Sequence, residues 1–274
     1  MNGVDISHYQ AGITIRQLMD AGMDFAIIKV TEGTSYIDPS AFEFYREAHE
    51  LGFPLGCYCY SHAINAQQAM AEAAFLTDTT RGFPMPCGVY LDIEEPDQLS
   101  LPHDTLLNII RGWCAGIGGK GYVPGIYASE GNLWAKVSPE ELPDGCLVWI
   151  AKWSQTPPNT PCDIWQFSDR GNIPGYDGPV DSDSTRGGRI TALIDSAAQA
   201  YEQHKRELAQ EDSPAIQPDD TPAPDACPIQ KPNPFIGIMQ LMLNYTGCWG
   251  EVDGQKSPEF FAAARAFLDE LERG

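Results

Sequence analysis

The sequence is short of positive charge. Lys and Arg number 17 against 38 Asp and Glu, a formal net charge of −21. Recognition of a phosphate backbone needs a basic face, so this deficit excludes a nucleic-acid partner. Long apolar runs are absent too, and nothing approaches the roughly 18–20 residues that span a bilayer. The opening Met1-Asn-Gly-Val-Asp5 has no basic region, apolar stretch or cleavage site. Synthesis in the cytoplasm without a signal peptide is therefore expected. Histidines are few and dispersed: His8, His49, His62, His103 and His204. With no HExxH and no CxxC pairing, neither a metal site nor a cofactor is expected. The eight cysteines are scattered through mostly apolar segments, and without a secretion signal free buried thiols are expected.

What is present is a regular alternation over the first 195 or so residues. Apolar strand-like runs occupy 3–6, 25–30, 55–60, 88–93, 123–127, 147–151 and 163–167, and amphipathic helical stretches occupy 13–21, 39–51, 66–77 and 101–120. This order predicts an α/β fold with a parallel sheet, which seven or eight such strands close into a TIM-like (β/α) barrel. The segment is shorter than the roughly 250 residues typical of that barrel. Beyond Val123 the strands follow each other with little helical spacing, so an irregular barrel with a reduced helix set is expected.

A helix over 190–210 leads out of this unit, giving a first domain of residues 1–208. Residues 209–234 carry seven prolines together with Glu211, Asp212, Asp219, Asp220 and Asp225. That composition reads as a stiff, solvated linker. Residues 235–274 show helical periodicity on both sides of Val252-Asp-Gly254 and form a small α-helical C-terminal module with a marginal core.

The chemistry-bearing segment is Gly88-Val-Tyr-Leu-Asp-Ile-Glu-Glu-Pro96. Side chains alternate along a strand, so Val89, Leu91 and Ile93 share one face while Tyr90, Asp92 and Glu94 share the other. Pro96 ends the run. Asp92 and Glu94 therefore sit at the carboxyl end of a barrel strand, where such barrels keep their reactive groups. Two inward carboxyls suit glycoside hydrolysis, in which one gives a proton to the leaving oxygen and the other stabilises positive charge. Glu94, nearer the mouth, is the expected general acid and Asp92 the ionised partner, their repulsion raising one pKa and holding the other down. Glu95 faces the other way by parity and is expected to be an exposed end residue. Asp5, opposite Val4 and Ile6, points inward on the same argument. Tyr58, Tyr60, Tyr90, Tyr127, Trp149, Trp153 and Trp165 lie in or beside strands. Pyranose faces stack on such rings, but parity alone does not separate cleft from core.

These residues resemble the glycoside hydrolase family 25 lysozymes. Gly3-Val-Asp-Ile-Ser-His-Tyr-Gln10, Ile28-Lys-Val-Thr-Glu-Gly33, Gly56-Cys-Tyr-Cys-Tyr60 and Leu91-Asp-Ile-Glu94 follow that family's order, as do Trp149-Ile-Ala151, Ile164-Trp-Gln-Phe167 and Pro179-Val-Asp181. The resemblance implies an irregular barrel and an N-acetylmuramidase that cuts the β-1,4 bond between N-acetylmuramic acid and N-acetylglucosamine in bacterial peptidoglycan. It implies Glu94 as catalytic acid with Asp92 beside it. It further implies that the substrate's acetamido group acts as nucleophile, oriented by Asp92. Asp5 and Asp181 would support the pair, and Glu32, Tyr58, Tyr60, Tyr127 and Trp153 would bind glycan. Two departures stand out: Cys59 occupies a position that is often His, and Ser182-Asp183-Ser184-Thr185 replaces the usual Asn and aromatic, leaving Asp181 and Asp183 as alternatives. The C-terminal segment resembles a peptidoglycan-binding repeat more distantly; a helical appendage for packing or self-association is the alternative.

The resemblance further implies action on the bacterial cell wall after release, by a phage or prophage lysin or a non-classically exported enzyme. Competing readings are a non-catalytic glycan-binding barrel, a chitinase-like glycosidase, and a cysteine peptidase using Cys57 or Cys59 with His62. Cys57 and Cys59 sit on a strand rather than at a helix N-terminus, where a thiolate is stabilised. A chitinase-like site would carry a longer ladder of acids before the glutamate, where this chain has Cys87 and Tyr90.

Overall fold

The computed structural model describes residues 1–211. The expected linker from 212 onward and the expected module of 235–274 lie outside the described residues. Nine strands form one sheet: β1 (Asn2–Ile6), β2 (Phe25–Glu32), β3 (Tyr36–Ile37), β4 (Leu55–Tyr60), β5 (Val89–Asp92), β6 (Pro124–Ser129), β7 (Leu147–Ala151), β8 (Ile164–Gly171) and β9 (Val180–Thr185). The order is β1-β9-β8-β7-β6-β5-β4-β2, and the β1–β2 pairing closes eight strands into a barrel, with β3 added outside on β2.

Six helices accompany the strands: α1 (Ile15–Asp20), α2 (Ala41–Leu51), α3 (Ala66–Thr79), α4 (Pro96–Leu99), α5 (His103–Gly118) and α6 (Gly188–Glu211). None of the helices among the described residues is long and apolar enough to cross a membrane. The connections β6–β7, β7–β8 and β8–β9 carry no α-helix, as the close strand spacing predicted. The expectation of a parallel sheet is corrected in two respects: β3 runs antiparallel to β2 outside the barrel, and one barrel strand is reversed. Strand β9 runs antiparallel to both β8 and β1. The reason is the short connection of residues 172–179, since a parallel return needs a crossover of a dozen residues or more.

The barrel interior is packed by Phe25, Ile27, Tyr90, Tyr127, Trp149 and Ile164. Room for these rings comes from small partners. A Cβ on Gly125 would lie 2.3 Å from the Tyr90 ring, so the facing strand must be bare there. Outside the barrel, Val89, Leu91 and Ile93 are buried with Ile109, Ile110, Trp113 and Ile117 of α5. Trp113 and Trp149 are almost fully buried, and burying rings of that size supplies roughly 1.5–3 kcal/mol or more each. The lower end of the barrel is thus a solid plug that leaves only the carboxyl ends of the strands open to solvent.

Candidate active site

Backbone register assembles the site. Glu32, Tyr60, Asp92, Tyr127 and Trp149 pair in turn across β2, β4, β5, β6 and β7. They form one row around the barrel wall at the level where the strands end. Asp5 pairs with Asp181 on the strands that close the barrel. These side chains, with Tyr9, Lys29, Tyr58, Glu94, Glu95 and Gln166, line a cleft of about 440 Å³. That volume is in the usual range for a small-ligand site.

Asp92 ends β5 and is only 5% exposed, whereas Glu94 lies two residues further on in the open cleft. Pro96 opens α4 at its first position, where its missing N–H costs nothing. Its ring also keeps Glu95 extended (φ −62°, ψ 133°), so the chain turns away just past the acid pair. Oδ1 of Asp92 is buried without a hydrogen-bond partner.

The electrostatics depart from the sequence expectation. Burial raises the Asp92 carboxyl well above its ordinary range, and Glu94 raises it further. Glu94 is raised as well, first by burial and then by Asp181 and Glu95. Repulsion alone was expected to separate the pair, one up and one down; desolvation at the barrel mouth instead lifts both, and repulsion adds to it. Asp181 is pushed up to about 6 by burial and by Asp169. The counterweight is Lys29, whose Nζ donates to Glu32 Oε2 at 2.6 Å and lowers that carboxyl. His62 sits between two acids, Nε2 3.2 Å from Glu32 and Nδ1 3.5 Å from Glu95.

Each residue singled out in the sequence has a clear position. Asp5, Glu32, Tyr58, Tyr60, Asp92, Glu94, Tyr127 and Asp181 all line the cleft. Trp153 stands beside the cavity, 61% exposed, with its indole N–H 3.0 Å from Gln166 Oε1. Of the alternatives on β9, Asp181 faces the cleft and Asp183 is buried behind it. Glu95 corrects the parity argument: strand geometry stops at Asp92, and Glu95 turns into the same cleft. Cys57 and Cys59 point to the outer layer, fully buried, their thiols raised by burial. They are unsuited to act as nucleophiles, and His62 is engaged by carboxyls instead of a thiol. The described cysteines 57, 59, 87, 114, 146 and 162 are free.

Sequence reasoning missed Lys29, Gln166 and Tyr9 as cleft residues. A register shift between Lys29 and Thr31 places one extra residue in β2. Without that bulge Lys29 and Glu32 would face opposite sides of the sheet; with it both reach the cleft. Gln166 had a fainter signal: it shares parity with Ile164, which packs the barrel interior. Tyr9 is 79% exposed on a short turn after β1 and carries no strand pattern.

A closed α/β barrel with a row of carboxyls and aromatic rings at the carboxyl ends of its strands defines the class, a glycoside hydrolase. The profile of Glycosyl hydrolases family 25 matches residues 4–176, and the chain belongs to that family. It is 28% identical over 204 residues to an autolytic lysozyme of Clostridium acetobutylicum, a match covering 71% of this chain and 60% of that protein. It is 27% identical over 216 residues to lysozyme M1 of Streptomyces globisporus, covering 72% of each. Among solved structures, the lysozyme from Streptomyces coelicolor superposes with a TM-score of 0.61 at 26% identity, covering 72% of this chain and 98% of that one.

Proposed function

We propose that the protein is an N-acetylmuramidase that hydrolyses the β-1,4 bond between N-acetylmuramic acid and N-acetylglucosamine in peptidoglycan. The observation that carries this reading is the Asp92 and Glu94 pair, deep and shallow members of one strand end, inside an acid cleft edged by Tyr9, Tyr60 and Trp153. Glu94, raised and open to the cleft, holds its proton to higher pH than an ordinary carboxyl and gives it to the leaving oxygen. Asp92 offers a buried acceptor that has no donor of its own. A substrate acetamido N–H fits that vacancy, and a carboxyl of raised pKa draws on the N–H proton as the acetamido oxygen closes on the anomeric carbon. Asp5 and Asp181 face the pair from the closing strands. Glu32, Tyr58, Tyr60, Tyr127 and Trp153 hold the glycan.

Peptidoglycan digestion by the wild type and by Glu94→Gln, with mass spectrometry of borohydride-reduced products, tests the reading. Reduced muramic acid ends are expected from the wild type, and a rate lower by about 10²–10⁴-fold from the variant. Reduced glucosamine ends would move the cut to the other bond, and near-normal turnover by the variant would remove Glu94 from its role.

The relatives include a protein named an autolytic lysozyme, which supports action at the cell wall. Release through a lysis system or by non-classical export fits this site. Residues 235–274 are proposed to bind wall, with 209–234 as the spacer. Deleting 212–274 is expected to weaken pull-down on purified walls while leaving cleavage of soluble fragments; unchanged retention would refute the binding role.

A further inference from the structure

Behind the cleft, two carboxyls meet with too few donors between them. The Tyr127 hydroxyl and the Trp153 indole N–H both lie 3.0 Å from Gln166 Oε1. An indole nitrogen only donates, so this atom is the amide oxygen and the amide cannot be flipped. Gln166 Nε2 then donates to Asp5 Oδ2 at 2.8 Å. On the far side, Trp149 Nε1 donates to Asp183 Oδ1 at 2.8 Å. Asp183 is fully buried, and its Oδ2 has no N–H or O–H donor. In the β1–β9 register Asp5 stands opposite Asp181 and Gly3 opposite Asp183, so the Asp5 and Asp183 side chains are diagonal neighbours on one face of the sheet.

The groups around them bring no compensating charge. Asp181 neighbours the pair on β9 and adds repulsion to both members. Tyr58 of β4, Tyr90 of β5 and Tyr127 of β6 face them as neutral phenols whose own ionisation is held up by burial. Asp92 lies across the cleft and is itself acidic. The nearby cation, Lys29, is engaged by Glu32. Neighbouring buried carboxyls with no cation between them cannot both ionise in such surroundings.

We propose that Asp5 and Asp183 hold one proton between them, which makes Asp183 a positioning residue that fixes the Asp5 carboxyl at the floor of the cleft. Gln166 anchors one oxygen of Asp5 and the shared proton anchors the other. Burial pushes both acids up, Asp183 to about 7. As pH rises through that range the proton passes to solvent, a second negative charge appears in the barrel, and Asp5 is driven from its place. The pair thereby sets the alkaline limit of the cleft. The consequence for activity rests on the proposed glycosidase reading; the proton itself does not.

The test uses the full chain and needs no substrate for its first part. Asp183→Asn keeps the shape: its Oδ1 accepts from Trp149 and its Nδ2 donates to Asp5. Infrared difference spectra of wild type minus Asp183→Asn, taken between about pH 5 and about pH 8, are expected to show a protonated-carboxyl C=O band that moves in D2O and disappears near pH 7. Asp5→Asn is expected to lose the same band. Identical spectra for wild type and Asp183→Asn would overturn the shared proton. In the second part, the alkaline limb of kcat/KM is expected to move to higher pH in Asp183→Asn, because Asp5 then ionises without a buried anion beside it. An unmoved limb in a protein that has lost the band would overturn the positioning role. If neither protein cleaves peptidoglycan, the functional reading has failed while the infrared result still decides the proton.

Discussion

Among the described residues lining the cleft, six carboxyl groups face a single cation, Lys29. It is 7% exposed, bonded to Glu32, and its ammonium lies 5.1 Å from the centre of the Tyr60 ring. Its attraction partly offsets the burial that raises Asp92. Lys29→Met removes that offset and leaves Glu32 with His62 as its remaining partner. A hydrogen bond to a charged group contributes about 1.5–3 kcal/mol, so kcat/KM is expected to fall by about tenfold or more. The acid limb of the pH–rate profile is expected to move to higher pH, since Glu32 and Asp92 then hold protons longer. A profile unchanged in height and position would show that Lys29 has no electrostatic part in the reaction. At this scale the sequence was legible where strict alternation held, as at Asp5 and Asp92. It misled where alternation broke, at Glu95 beyond the end of the strand, and it passed over Lys29, which a bulge brings to the same side as Glu32. No pattern of spacing announces a bulge.

Helices α3 and α5 pack closely because α5 carries Gly112 and Gly116 on its inner face. A Cβ at Gly112 would stand 2.6 Å from the Ala66 carbonyl oxygen, and one at Gly116 would stand 2.7 Å from the Ala73 Cβ. In an exposed helix, Gly to Ala gains about 1 kcal/mol of propensity. Here the obstacle at Gly112 is backbone, which cannot rotate away, and overpacking costs typically about 1–3 kcal/mol. Gly112→Ala is therefore expected to lower the thermal midpoint despite its better helix propensity; a stabilised variant would mean α5 shifts without penalty. Long elements of strong period, such as α5 and β4, were readable to within a residue or two. Strand β9 escaped the alternation because Asp181-Ser-Asp-Ser-Thr185 has the composition of a turn, and only the resemblance to known lysozymes marked its start. Its direction follows from the length of the preceding loop, a constraint that acts on the chain as a whole.

Across the whole molecule, burial of acids ties stability to pH with an uncommon sign. Asp5, Asp92, Glu94, Asp181 and Asp183 all hold protons more tightly folded than unfolded, burial being the leading cause at each. Between the ordinary values near 4 and the raised values of about 6 and about 7 at Asp181 and Asp183, the folded chain carries the extra protons. Stability from these groups is present at the acid side and falls as pH rises through that window. Glu32 and Glu130 act in the opposite sense, but their ion pairs are partly exposed and weakly worth counting. The net charge of −21 adds self-repulsion in the same direction. Melting temperatures are expected to be higher near about pH 5 than near about pH 8, with added salt narrowing the gap. A midpoint that rises with pH would contradict the buried-acid account.

The closing pair of strands has one more consequence, and it concerns time. Asp5 is on the barrel's first strand in chain order and Asp181 is on its last, and the two meet only when β9 slots between β1 and β8. Until β9 is made, the barrel lacks one wall of its cleft. A chain cut short anywhere before Val180 lacks both Asp181 and the strand that seals the barrel. A cell making this protein therefore meets a finished cleft only from finished barrels, and termination before β9 yields fragments without one.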